Sequence, residues 1–260
     1  MDNKIAQHLV TLDRHAFFFD FDGTLADLQP RPELVFIAGT LHAALAQLVG
    51  RAPVAVISGR PLVQLDELLQ PLQLPSAGVH GSERRTAAGE YQQLQLDEDL
   101  LAHIEHELRL ACEPYPELLL ESKGVAFALH YRQAPALESV ALQLATDFVS
   151  LYPETLSLQP GKCVFELKPK GASKGEVIRA FMAEAPFAGR IPVFLGDDLT
   201  DEAGFEVVNA LGGLSIKVGE GATIASARLP SVNAVDAWLH ALLEVRPVSE
   251  LGTLQPGGEA

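Results

Sequence analysis

Phe17-Phe18-Phe19-Asp20-Phe21-Asp22-Gly23-Thr24 decides the fold, because an apolar strand here delivers two carboxylates and then stops at glycine. Side chains alternate faces along a strand, so Asp20 and Asp22 share one side while Phe19 and Phe21 turn to the other, toward packing. Both acids fall at the strand's carboxyl end, where open α/β sheets keep their ligands. Carboxylates this close repel, and one resists ionising unless a cation lies between them. A hard, oxygen-liganded ion such as Mg²⁺ suits that position. An acidic turn after a buried strand has the same appearance, so the flanking sequence must separate the two readings.

Outward from this strand the pattern alternates. It predicts a strand over 15–20, a helix over about 33–49, a strand over 53–57, a helix over 61–70 and a short strand near 76–79. The same texture returns later, with a helix over 174–185, a strand at 191–195, a helix over 201–209, a strand over 213–218 and a helix over 233–244. Alternation of this kind builds a parallel sheet with helices on both faces. Between the halves lie two helix-strand-strand units: helix 97–112 with strands 118–122 and 125–131, then helix 136–151 with strands 155–159 and 162–168. Turns at Lys123-Gly124 and Pro160-Gly161 make each strand pair an antiparallel hairpin. The expected architecture is an α/β, doubly wound, Rossmann-like core over 1–83 and 169–246, with an inserted α+β cap over 84–168. The Pro- and Gly-rich tail over 247–260 is expected to be disordered.

Bulk properties narrow the function. The 260 residues, 48% hydrophobic, are ample for a core, and no apolar run approaches the roughly 20 residues of a membrane span. The start Met1-Asp2-Asn3-Lys4 lacks a signal-peptide layout, which points to the cytoplasm. A net charge of −15 argues against nucleic acid or an anionic membrane as partner. The exception is local: Lys162, Lys168, Lys170, Lys174 and Arg179 outnumber Glu166 and Glu176, a solvated face or a place to collect an anion. Cys112 and Cys163 fit no metal or redox spacing.

Three further signals follow strand ends. Ser58-Gly59-Arg60 presents a hydroxyl and a backbone amide at a turn opening a helix, suited to a phosphate oxygen or simply to an N-cap. Lys174, in Gly171-Ala172-Ser173-Lys174-Gly175, puts a cation at an already positive helix end, which an anion there would justify. Gly196-Asp197-Asp198-Leu199-Thr200-Asp201-Glu202 crowds acids after a buried strand. Asp201 and Glu202 read as capping, whereas Asp197 and Asp198 sit where a cation held by Asp20 would reach. These parts form a phosphoryl-transfer kit: Asp20 as nucleophile, Asp22 as acid and then base, Ser58 and Lys174 holding phosphate oxygens. Mg²⁺ falls on Asp20, the Asp22 carbonyl and Asp197, with the roles of Asp198 and Asp201, direct or indirect, left open.

In that order, Asp20-Phe21-Asp22-Gly23-Thr24, Ser58, Lys174 and Gly196-Asp197-Asp198 resemble the four motifs of the haloacid dehalogenase superfamily. A response-regulator receiver also uses an acid pair, a phosphorylated Asp and a Lys, but places its acids on separate strands and has no cap. With Gly78-Val79-His80-Gly81-Ser82-Glu83-Arg84-Arg85, Glu121-Ser122-Lys123-Gly124, His130-Tyr131-Arg132 and Phe165-Glu166-Leu167-Lys168-Pro169, the chain from about 14 to 240 is similar to the trehalose-6-phosphate phosphatase family. The resemblance implies hydrolysis of a sugar phosphate, functional pairing with trehalose-6-phosphate synthase, and sugar contacts from Glu121, Lys123 and Glu166. It extends the substrate set to Arg132, His80, Gly59 and Arg60. Two rivals stand beside it: a phosphatase for another sugar phosphate, and a regulatory subunit that kept the fold, against which the intact Asp20 and Asp22 weigh.

Overall fold

The computed structural model describes residues 10–94 and 96–244, so the expectation for the tail lies outside the described residues. Its centre is β1 (His15–Phe19), every residue of which is buried. It pairs in parallel with β2 (Val54–Ile57) on one side and with β10 (Ile191–Gly196) on the other, Phe18 lying opposite both Ala55 and Phe194. Beyond β2 runs β3 (Ser76–Gly78), and beyond β10 run β11 (Leu214–Val218) and the short β12 (Ala227–Leu229), all parallel.

The alternation of β1 partitions the core. Phe17 and Phe19 pack on the face covered by α1 (Gly39–Val49), α2 (Leu62–Leu69) and α7 (Val232–Glu244), Phe17 with its ring 6.4 Å from that of Trp238. Phe18 points to the face covered by α5 (Lys174–Met182) and α6 (Glu202–Ala210), stacking 5.4 Å from Phe187. Helices on both faces make the sheet doubly wound, and its order reverses at β1, so the tips of β1, β2 and β10 converge on a topological switch point.

A second, four-stranded antiparallel sheet holds β6 (Leu119–Ser122), β7 (Phe127–His130), β9 (Val164–Pro169) and β8 (Leu156–Gly161), in that order. Helices α3 (Glu98–Cys112) and α4 (Glu138–Leu151) enclose its own apolar cluster around Phe127, Leu129 and Leu167. Asp97 caps α3 by accepting from Leu100 N at 3.1 Å.

Four details differ from expectation. The main sheet does not stop near residue 83: β4 (Glu83–Arg85) and β5 (Tyr91–Gln93) add an antiparallel pair to β3, giving eight strands. Their side chains are mostly polar, half-buried on β4 and exposed on β5, so they carry no hydrophobic alternation to read. Helix α1 begins at Gly39, because Pro32–Leu34 forms only a 3-10 turn and Val35 resumes extended backbone at φ −75°, ψ 138°. Helix α5 ends at Met182, ahead of Pro186, which lacks the N–H to continue it. The second hairpin turns at Lys162-Cys163, two residues beyond Pro160-Gly161, with Cys163 at φ 61°. Gly161 is small for a different reason, since a Cβ there would lie 2.9 Å from Val164 and 3.3 Å from Asp198 Oδ2.

Phe18 is fully buried among aromatic rings. Phe18→Ala should therefore lower the unfolding free energy by about 3–5 kcal/mol, read as a fall in urea midpoint at unchanged slope. A loss under about 1 kcal/mol would contradict this packing.

Candidate active site

Asp20 follows β1 directly, its N–H donating to Leu195 O at 2.9 Å, and its side chain is 4% exposed. The chain then turns tightly, with Leu25 N donating to Phe21 O at 2.9 Å. Gly23 at the bend has φ 85°, and a Cβ on it would collide with the Asp197 carboxylate. Phe21 joins the cluster of Phe17 and Phe19, which leaves Asp20 and Asp22 facing one cavity of about 370 Å³. Asp22 is gripped by both arms of Arg60, Nε at 2.6 Å and Nη2 at 2.7 Å. Ser58, at the tip of β2, is 1% exposed and accepts from Arg60 N at 3.2 Å.

Lys174 resolves the apparent electrostatic fault at the start of α5. The helix is capped by Ser173, which accepts from Glu176 N at 3.2 Å, while the Lys174 side chain runs inward. Its ammonium donates to Asp20 Oδ1 and to Asp201 Oδ1, each at 2.6 Å, at 2% exposure. Asp201 Oδ2 accepts from the N–H groups of Asp197 and Asp198, both at 2.9 Å. Sequence reasoning treated Asp201 as a helix cap, and it is also the inner anchor of the lysine. Lys217, from β11, donates to Asp197 O at 2.5 Å. That residue was missed, although a lone lysine in Leu214-Ser215-Ile216-Lys217-Val218 is a signal for a buried polar partner.

Oxygens of Asp20, Asp197 and Asp201 converge within 4.8 Å of one another. Asp198, expected among the metal ligands, is outside this trio: its backbone is extended (φ −113°, ψ 176°), so its side chain departs from that of Asp197 and approaches Gly161 of the β8–β9 hairpin. Burial pushes the Asp20 carboxyl well up, and Asp201 and Asp197 add to this against the pull of Lys174. Burial likewise raises Asp197, opposed by the Lys162 ammonium, which reaches it from the hairpin turn. For Lys174, burial works against the charge but the two carboxylates outweigh it and hold the ammonium protonated.

The antiparallel layer supplies the roof. Glu166, on β9, takes Lys123 Nζ at 2.5 Å and His80 Nε2. Lys123 also donates to Gly59 O at 3.2 Å. Glu121 faces His130 Nε2 at 2.8 Å. Arg132 reaches Gln29 O at 3.4 Å and Lys162 O at 3.2 Å, tying the roof to the loop after β1. Burial alone would raise Glu166, but His80 and Lys123 overcome it and hold the carboxyl far below its ordinary range. Burial lowers His80 in spite of Glu166. All the candidate residues singled out from the sequence line this one cavity. Lys162 joins them, seen beforehand only as part of a basic cluster.

A buried acid at a switch point, backed by a buried lysine and a second acidic strand tip, under a separate antiparallel layer, defines a haloacid dehalogenase-type phosphatase fold. The trehalose-phosphatase family model matches residues 18–232. A trehalose-6-phosphate phosphatase of Escherichia coli (strain K12) is 50% identical over 230 residues, covering 87% of this chain and 86% of that one. A trehalose-phosphate phosphatase of Mycobacterium tuberculosis (strain ATCC 25618 / H37Rv) is 34% identical over 207 residues, covering 76% of this chain and 52% of that one. Among solved structures, the C-terminal domain of the trehalose-6-phosphate phosphatase of C. albicans superposes with a TM-score of 0.81 at 23% identity, over 92% of this chain and 95% of that chain, a likeness of fold. This chain belongs to the trehalose-phosphatase family.

The depressed Glu166 contributes stability that is present above its ordinary value of 4.5 and lost as pH falls toward the folded value. The stability gap between the wild type and Glu166→Gln should therefore stay level from pH 7 to about 5 and narrow below 4.5, by up to about 1.4 kcal/mol per pH unit. Urea titrations at several pH values check this, and a gap that widens on acidification would contradict the pairing.

Proposed function

We propose that this chain hydrolyses trehalose 6-phosphate to trehalose and inorganic phosphate through a phosphorylated Asp20. The observation that carries the reading is a single cavity in which Asp20 and Lys174 lie at the floor while Glu121, Lys123 and Glu166 form the roof. A carboxylate oxygen of Asp20 attacks phosphorus as the bond to the sugar oxygen breaks, and Asp22 delivers a proton to that oxygen. Water then attacks the aspartyl-phosphate, Asp22 takes its proton, and phosphate leaves with the Asp20 carboxylate restored. Arg60 grips Asp22 with two hydrogen bonds and so fixes where its carboxyl points. Lys174 holds Asp20 in place and, with Ser58, receives the oxygens of the phosphoryl group.

The donor set fits Mg²⁺. Asp20 and Asp197 are hard oxygen donors whose carboxyls burial pushes up, and together with the Asp22 backbone carbonyl they would hold the ion. An ion held there would supply the positive charge that offsets the phosphoryl oxygens. Asp201, already engaged by Lys174 and two N–H groups, supports this set from behind. The antiparallel layer acts as a cap that excludes water during transfer and selects the disaccharide through its acids and bases. A trehalose-6-phosphate synthase is the functional partner, supplying substrate. Among the described residues no helix is long and apolar enough to cross a membrane, and we place the enzyme in the cytoplasm.

Phosphate release from a panel of sugar phosphates tests the chemistry. Asp20→Asn should cut turnover on the order of 10³-fold or more, and EDTA should abolish it until Mg²⁺ is returned. Release that survives either treatment would overturn the mechanism. Glu121→Lys should lower kcat/KM for trehalose 6-phosphate far more than for p-nitrophenyl phosphate, which has no sugar for the cap to grip. Equal losses on the two esters would point to another substrate.

A further inference from the structure

The turn Gly78-Val79-His80-Gly81 is folded against the Ser58-Gly59-Arg60 turn rather than against substrate space alone. Val79 N donates to Arg60 O at 3.0 Å and His80 N to Ser58 O at 2.9 Å. Both Val79 (φ 47°) and His80 (φ 55°) occupy the left-handed region, which a β-branched residue such as valine rarely enters. The imidazole lies directly over Gly59, where a Cβ would come within 2.8 Å of Nε2. From there Nε2 meets Glu166 of the cap, while Nδ1 is buried with no partner. An imidazole whose one partnered nitrogen faces a carboxylate carries its proton on that nitrogen, since the reverse tautomer would bury an unpaired N–H and set a lone pair against the carboxylate. Lys123, the other partner of Glu166, returns to Gly59 O. Core and cap therefore meet at one carboxylate, gripped from the core by His80 and from the cap by Lys123, with both grips resting on Gly59.

We propose that His80 is a positioning residue: it acts through Glu166, fixing that carboxylate in the closed cap, and couples cap docking to the phosphate-side turn Ser58-Gly59. This rests on Glu166 being a sugar-binding residue, as proposed above. His80 itself need not touch the sugar, because Nε2 is engaged by Glu166 and Nδ1 is buried away from solvent.

Steady-state kinetics on trehalose 6-phosphate and p-nitrophenyl phosphate, for His80→Asn, His80→Gln, Glu166→Gln and the His80→Asn/Glu166→Gln pair, tests the assignment. Asparagine is at home in the left-handed region but is too short to reach Glu166, whereas glutamine restores a donor at that distance. His80→Asn should lower kcat/KM for trehalose 6-phosphate by about 10-fold more than for p-nitrophenyl phosphate. His80→Gln should recover part of that loss, and the double variant should be no worse than Glu166→Gln alone. Equal losses on both esters, additive losses in the double variant, or no loss in His80→Asn beside a defective Glu166→Gln would overturn the role of His80 while leaving Glu166 in place. A Glu166→Gln enzyme with unchanged kinetics on trehalose 6-phosphate would overturn the role of Glu166 and the inference with it.

Discussion

The ammonium of Lys174, enclosed between the carboxylates of Asp20 and Asp201, is the interaction on which the site depends. It joins three elements distant in the chain: the tip of β1, the first turn of α5 and the turn leading into α6. Each charge is buried, so none is tolerable without the others, and deleting one partner of such a group leaves a stranded charge costing about 3–5 kcal/mol. Asp201 then passes the constraint onward through its second oxygen to the backbone of Asp197 and Asp198. The orientation of the third strand tip is thereby tied to the same lysine. The surplus of buried negative charge that remains, even with Lys174 present, is what a divalent cation would relieve.

The polar floor is affordable because the sheet beneath it is uncompromisingly apolar. Alternate phenylalanines of β1 feed two separate helix layers, so the strand is held from both faces and its end cannot drift. Rigid support of this kind lets loops carry chemistry with little entropy left to lose. The cap shows the opposite distribution. Its apolar cluster takes one residue from the core, Val79, and its other connections to the core include ionic and hydrogen-bonded ones: Glu166 with His80, Lys123 with Gly59, Arg132 with Gln29, Lys162 with Asp197.

The sheet, its winding and the residues at its tips were legible in sequence because each obeys a local rule. The run Phe17 to Phe19 announces a strand buried on both faces, and an acid or hydroxyl placed immediately after such a strand has one place to go. What escaped reading was set by non-local partners. The strands Glu83–Arg85 and Tyr91–Gln93 pair through backbone and through polar side chains, Arg84 with Gln92 and Tyr91 with Glu83, which leave no hydrophobic periodicity to read. Asp201 satisfies the rule for a helix start so well that its second task is invisible without Lys174 beside it. Lys162 reaches Asp197 from a hairpin turn that comes two residues later than its proline and glycine suggest. Asp198 was grouped with Asp197 by adjacency, yet extended backbone sends neighbouring side chains apart.

The antiparallel layer is inserted, so the chain crosses between the two bodies twice, once from β5 into α3 and once from β9 into α5. A body on one tether can tumble, whereas one on two tethers is held like a door on a pair of hinge pins and loses most of its rotations. Swinging it would uncover Val79, while the polar contacts broken at the seam can be replaced by water. The seam therefore sets the direction and reach of opening while adding little resistance to it, and the sugar, once held between the two leaves, supplies the closing force.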